Sequence, residues 1–397
     1  MTESRKPSTR DVRLDFFRGL SLFLIFIDHI PENILGNFTL RAFAFSDAAE
    51  VFIFISGFTA AQVYSRTGEV KGWAFGSAQI LRRVWQLYIA HIAMFMVFMA
   101  EVSYSVQQFD NPLFNDELRV GDFLAEPHIA IGKALTLEFQ PPFLDILPLY
   151  IVLLLFLPLV LFLLRRNLWL ALIPSAALYI VVRITKMDLP AYPEGHSWFF
   201  NPLAWQFLFV MGATLGYAER HGRDMLTRER WVTQLGFAVF AVCTIFAASW
   251  SLHEVWHGIP ALFVRQVDKT SLALPRLVNF LALAIVATTL VPRDARFLKS
   301  RWAWPVLLCG RNSLPVFCLG ILLSVLGHFL LAETDGPLSL QMAVVAVGFT
   351  AMIGLAVLIT WYKNEGRLPH FVRADGPPGP SAGTSGGAAR TGKVVAP

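Results

Sequence analysis

Long apolar runs alternate with short polar breaks along most of this chain. A membrane-spanning helix needs about 20 mostly apolar residues. Such windows recur near residues 17–37, 45–65, 84–105, 146–164, 168–184, 202–219, 231–250, 272–292, 304–331 and 338–361. The pattern predicts an all-α, polytopic integral membrane protein with about ten transmembrane helices in one bundle. The break at Arg165-Arg166-Asn167 leaves room only for a tight helical hairpin between the fourth and fifth windows. The connections 106–145 and 185–201 fall on one side. No soluble domain and no internal repeat stands out.

Composition sharpens this reading. Of 397 residues, 55% are hydrophobic and only 15% charged, where a soluble domain carries about 25% charged residues. The mean hydropathy is +0.54. The first apolar segment holds Asp28 and His29 and lacks a small-residue cleavage site, so it reads as a membrane span and not as a cleaved leader. Charge distribution then sets orientation. About three quarters of the 33 Lys and Arg fall in the N-terminal tail, the even-numbered connections and the C-terminal tail, which by the positive-inside rule places both termini in the cytoplasm. Residues 1–12 form a cytoplasmic tail, 13–365 the membrane domain and 366–397 a Gly-, Pro- and Ala-rich tail expected to be disordered. Cys243, Cys309 and Cys318 lie in apolar runs without metal-ligand or disulfide spacing. No metal site, bound cofactor or nucleic-acid partner is expected. The lipid bilayer is, and a homo-oligomer is left open.

Ionisable residues inside apolar windows are costly, roughly 2.5–3.5 kcal/mol each at mid-membrane, and so are functional candidates. In RLDFFRGLSLFLIFIDHI (13–30), Arg18 and His29 are eleven positions apart. That is about three helical turns, which puts both on one face about 16 Å apart. Arg18 is expected at the cytoplasmic headgroups, paired with Asp15, and His29 near mid-membrane. A fixed cation at one end and a titratable imidazole farther in suit a channel for a long anionic donor. Asp28 could pair structurally or help orient the site. Asp47 and Glu50 open the second window, and Glu50 could approach His29 and fix its tautomer, as carboxylates do for catalytic histidines. Arg82, Arg83 and Arg311 could hold phosphates of a donor or simply anchor topology. His91 reads as structural and His328 as interfacial. On the outer side Asp47, Asp145 and Trp198 could line an acceptor cavity, although an aromatic belt is the default for Trp198, Phe199, Phe200, Trp250 and Trp256. Arg276 and Asn279 also lie at that end.

Arg18, ten residues, then His29, followed by FIFISGF (52–58), resembles the integral-membrane acyltransferase-3 superfamily. Within it, RLDFFRGL (13–20), RVWQLYIAH (83–91), LDILPLYIVLL (144–154), NPLAWQFLFVMG (201–212) and SLPVFCLGILLS (313–324) resemble the OpgC family over roughly residues 10 to 365. One position departs from a pattern common in the superfamily: Gln86 stands where many members carry an arginine after the double Arg. The resemblance implies an inner-membrane acyltransferase of bacteria. Such an enzyme takes an acyl group, succinyl first, from a cytoplasmic acyl-CoA and places it on hydroxyls of a periplasmic glucan or other glycan. Arg18 and His29 match the superfamily's Arg and His. With them, His29, Asp28 and Glu50 are the expected catalytic group, and Arg18, Arg82, Arg83 and Arg311 the donor-binding group. A succinyl donor further demands a cation for its distal carboxylate, for which Arg41 or Arg276 could serve. A heparan-glucosaminide acetyltransferase-like activity, a proton-coupled transporter and a scaffold subunit of glucan export are the alternatives.

Overall fold

In hydrocarbon no water satisfies a backbone N–H or C=O, so an apolar chain meets that demand within its own helix. The protein, seen in a computed structural model that describes residues 11–31, 33–109, 119–223, 229–255, 267–365 and 367, follows this constraint throughout. Its long helices are α1 (Val12–Asp28), α2 (Ala48–Lys71), α3 (Trp73–Phe109), α4 (Ile146–Arg166), α5 (Leu168–Thr185), α6 (Pro202–Arg220), α7 (Arg230–Val255), α8 (Leu274–Leu290), α9 (Trp304–Arg311), α10 (Ser313–Ala332) and α11 (Leu338–Lys363). Each of the ten apolar windows coincides with a helix, the ninth with the pair α9–α10, broken at Asn312. Seven of these helices (α2, α3, α4, α5, α7, α10 and α11) are long and apolar enough to cross a membrane by themselves. Of the helices at the other three positions, α1 and α8 are 17 residues long, and α6, with 19, is less apolar. The protein is a multi-pass, all-α membrane protein. The sole sheet among the described residues is a pair of two-residue strands, Pro190–Ala191 and His196–Ser197. The C-terminal tail from 366, apart from Arg367, lies outside the described residues, as does Trp256.

Cap residues mark where the polar breaks end each helix. Asn167 accepts from Trp169 N at 3.0 Å and closes the α4–α5 hairpin within one extended residue. Asp47 and Glu50 form a capping box at the start of α2. The first helix departs from expectation: it begins at Val12 and stops at Asp28, so His29 is its C-cap and not a mid-span residue. Pro31 explains the stop, because it supplies no N–H and disfavours helical backbone in Ile30. The expected loop 66–83 is helical apart from Gly72, whose φ of +91° turns α2 into α3. Arg82 and Arg83 therefore lie ten residues inside α3.

α3 is the longest element, with 37 residues and a rise of about 55 Å, against about 30 Å for α4. Trp73 meets Phe162 near the end of α4, with centroids 6.1 Å apart. The first half of α3 thus lies along α4, and the second half overhangs it. There Phe95 packs on Phe123 and Phe139, beside the short helices Val120–Ala125 and Pro127–Leu135.

Backbone-to-backbone contacts hold the centre. Gly57 of α2 faces the carbonyl of Phe209 in α6, while Gly212 and Gly216 face those of Phe54 and Phe58. The 212–216 pair is a GxxxG step, which lets helices approach without side chains between them. Gly19 and Gly310 do the same for α1 and α9: a Cβ on either would sit inside contact distance of a backbone carbonyl, of Val306 or Asp15. Replacing Gly310 by Val should therefore cost about 3 kcal/mol or more. The expected readout is loss of the monodisperse peak in detergent size-exclusion chromatography, whereas Gly354→Val, which meets open space, should leave it intact.

Candidate active site

The helix ends divide the polar residues into two groups. At the end where the chain enters α1, a cavity of about 540 Å³ opens between α1, α2, α3, α4 and α10. Arg18 and Arg83 project into it, with Tyr64, Thr59 and Ser313 beside them. Arg18 Nη2 donates to Thr59 Oγ1 at 2.7 Å, which ties α1 to α2. At the mouth Arg293 pairs with Glu219 and lies 3.4 Å from Asp11. Asp11 in turn accepts from Arg13 Nη2 at 2.7 Å. Burial alone would raise the Asp11 carboxyl, but the hydrogen bonds and charge of Arg13 outweigh it and hold the group below the usual carboxylate range. The deep end of the cavity is lined instead by Phe52, Leu147, Tyr150 and Phe317.

At the opposite end stands His29. Its Nδ1 lies 2.6 Å from the carbonyl oxygen of Ile25. A carbonyl only accepts, so Nδ1 carries the proton and Nε2 keeps its lone pair. The ring meets Phe143 edge to face at 4.9 Å. Phe143 has φ +73°, a left-handed conformation that costs a bulky residue on the order of 1 kcal/mol or more and that concentrates at functional sites. Asp28 accepts from Thr39 Oγ1 at 2.6 Å and lies 3.6 Å from Arg41 Nε, so it clamps the 33–43 loop back onto α1. Arg41 also donates to the Asp28 carbonyl, one peptide group from His29.

Beside this loop lies a buried ion cluster. Arg276 Nε donates to Glu50 Oε1 at 2.7 Å and its Nη2 to Asp47 Oδ2 at 3.1 Å, while Lys269 Nζ reaches Asp47 at 2.7 Å. Asn279 accepts from the backbone N–H and hydroxyl of Ser46. Arg41, Asp47 and Arg276 border a second pocket of about 100 Å³.

These contacts place the expected residues. Arg18 and His29 ride one regular helix, at its cavity end and its far end. Arg83 lines the cavity; Arg82 and Arg311 are exposed and do not, and Arg311 instead reaches Asp15 at 3.4 Å. Glu50 is fully buried, with one oxygen on Arg276 and the other on the Asp47 N–H. The tautomer of His29 is held by the Ile25 carbonyl and not by Glu50, because the capping box turns that carboxylate back onto its own helix. Asp47 belongs to the ion cluster. Asp145 stands at the N-cap of α4, two residues after Phe143, with no side-chain capping bond. Trp198 is buried, so its ring is no open stacking platform, whereas Phe199 is exposed, with Lys269 over its ring at 5.9 Å. His328 is buried and not interfacial; His91 is fully buried with neither ring nitrogen hydrogen-bonded.

Sequence reasoning missed Lys269, Thr39, Phe143, Tyr64 and Tyr150. Of these only Tyr150 had a readable signal, an aromatic hydroxyl one turn inside an apolar window. Among the described residues no group of three or more His, Cys, Asp or Glu is placed to hold a metal ion.

The arrangement is that of a polytopic membrane protein with a cavity that reaches into the bundle from one end, lined by Arg18, Arg83 and Arg293 and by Asp11, Asp15 and Glu219, and a histidine of fixed tautomer at the other. The profile model of the family described as OpgC protein matches residues 10–364. The chain belongs to that family and is an OpgC-like acyltransferase. Neither a curated protein nor a solved structure matches it.

Two outcomes follow from the charges. Glu50→Ala leaves Arg276 buried beside a single carboxylate and should cost about 3–5 kcal/mol, read as a lower midpoint in thermal unfolding in detergent; Glu50→Leu combined with Arg276→Leu should recover much of it. The depressed Asp11 carboxyl contributes stability above its unfolded value of about 3.9. That contribution should vanish as pH falls through its lower folded value, and Asp11→Asn should flatten the unfolding profile below pH 4.

Proposed function

We propose that this protein moves a short acyl group, succinyl first, from a cytoplasmic acyl-CoA to a hydroxyl of a periplasmic glucan across the bacterial inner membrane. The observation that carries the reading is α1 itself, which presents Arg18 to the cavity at one end and His29, with its Nε2 free to accept, at the other. The Lys and Arg bias supports a cavity mouth in the cytoplasm and His29 toward the periplasm.

In this reading Arg18, Arg83 and Arg293 hold the donor's phosphates by charge-assisted bonds, and the slender thioester arm runs inward along α1. His29 Nε2 takes the proton of the glucan hydroxyl as that oxygen attacks the thioester carbonyl. The tetrahedral intermediate collapses with cleavage of the C–S bond. The departing thiolate takes the proton from the imidazolium, so an ester and a free thiol are formed and His29 returns to its neutral state. The Ile25 carbonyl keeps Nδ1–H in place throughout. Asp145, half-buried beside Phe143, accepts from sugar hydroxyls. Asp28 acts through the loop it clamps and not on the substrate.

His29→Ala should lower glucan acylation by about 10²–10⁴-fold while the protein remains monodisperse and membrane-inserted; mass spectrometry of periplasmic glucans from strains carrying each form reads the result. Glucans substituted normally by the mutant would rule out the mechanism. Arg83→Gln should raise KM for the acyl-CoA about tenfold and change kcat little, a split that a topology anchor would not produce.

A further inference from the structure

The cavity and His29 do not meet. His29 is not part of the cavity wall, and four side chains from three helices close the deep end: Phe52 of α2, Leu147 and Tyr150 of α4, and Phe317 of α10. Phe52 lies seven residues, about 10 Å, beyond Thr59, the partner of Arg18. Leu147 lies four residues after Phe143, whose ring touches His29. The closing layer therefore sits between the arginines and the histidine along the bundle axis. Phe52 stacks on Phe317 with centroids 6.3 Å apart and an interplanar angle of 29°. Tyr150 meets Phe52 edge-on at 6.3 Å and Phe209 at 6.5 Å. The lining also changes character here: Ser56, Thr59 and Tyr64 lie on the arginine side, and apolar rings take over at the end.

We infer that Phe52, Tyr150 and Phe317 form the constriction that decides which acyl chains reach His29. A thioester carrying a short, unbranched chain passes when the Phe52 ring rotates off Phe317. A long or branched chain collides with a stacked pair backed by Tyr150 and Phe209. The phosphates stay behind, because nothing in the aromatic layer pairs with their charge. The same layer keeps water and small solutes from running between the two ends while the donor is absent. The identity of what passes rests on the acyl-CoA reading of the cavity, but the constriction itself does not.

The test has two arms on the full-length protein. In the first, acetyl-, succinyl- and octanoyl-CoA compete at equal concentration for a glucan acceptor, and products are resolved by mass. Phe52→Leu and Phe317→Leu keep an apolar side chain and guard against misfolding, and Phe52→Ala opens the layer further. Each should raise the octanoyl share at least tenfold over the parent. In the second, His29→Cys is reconstituted in vesicles and treated with a membrane-impermeant thiol reagent at the cavity mouth. Peptide mass spectrometry separates this site from Cys243, Cys309 and Cys318. Labelling of Cys at position 29 should be at least tenfold faster in the Phe52→Ala background. Unchanged chain preference together with unchanged labelling would overturn the inference. A parent protein that transfers no acyl chain would sink the proposed function, and the labelling arm would then decide the constriction by itself.

Discussion

Arg276 is the residue on which the His29 half of the structure turns. A guanidinium buried among helices is tolerated only when its charge is matched and its donors are used. Here Glu50 and Asp47 supply both, and they do so from the first turn of another helix. The arrangement fixes the start of α2 against α8, and Lys269 draws the segment before α8 onto the same carboxylate. Ser46 and Asn279 add a neutral bond one residue away. With α2 anchored, its lower turns can meet α6 through glycine backbones, and Thr59 falls where Arg18 can reach it. The position of Arg18 thus depends, through Thr59, on an ion cluster at the far end of α2.

Around His29 the polar groups come from helix ends, whereas Arg18 and Arg83 at the cavity are mid-helix residues. His29 closes α1, Asp145 begins α4, Asp47 begins α2, and Phe143 occupies a strained corner. Placing polar groups at ends avoids the cost of burying them in the middle of hydrocarbon, and the Ile25 carbonyl, which already accepts from the His29 backbone N–H, takes the imidazole N–H on its second lone pair. A carbonyl in this role cannot take up a proton, so it orients the ring and leaves Nε2 as the accepting atom.

Much of this was legible in the chain. The ten apolar windows fell on helices to within a few residues at most boundaries, because hydrocarbon leaves few alternatives to a helix. The shared face of Arg18 and His29 followed from helical spacing and survived because α1 is regular. Depth was not legible from hydropathy alone: Ile30 continues the apolar run, yet Pro31 ends the helix before it. Glu50 shows a second limit. Asp47-Ala48-Ala49-Glu50 carries the spacing of a capping box, and that local bond competes with any distant partner for the same oxygen. Lys269 sits in a polar connection with no periodicity, so only tertiary contacts bring it to Asp47.

The shortness of α1 and α8 has a consequence for the surrounding lipid. Helices of 17 residues cover about 26 Å, somewhat less than the thickness of a typical hydrocarbon core. Lipid next to such elements thins, or the polar flanks sink, to match them. The protein would then work where the barrier is locally narrowest, and the distance a reactive group must cover from one aqueous phase to the other is shortened before any side chain moves.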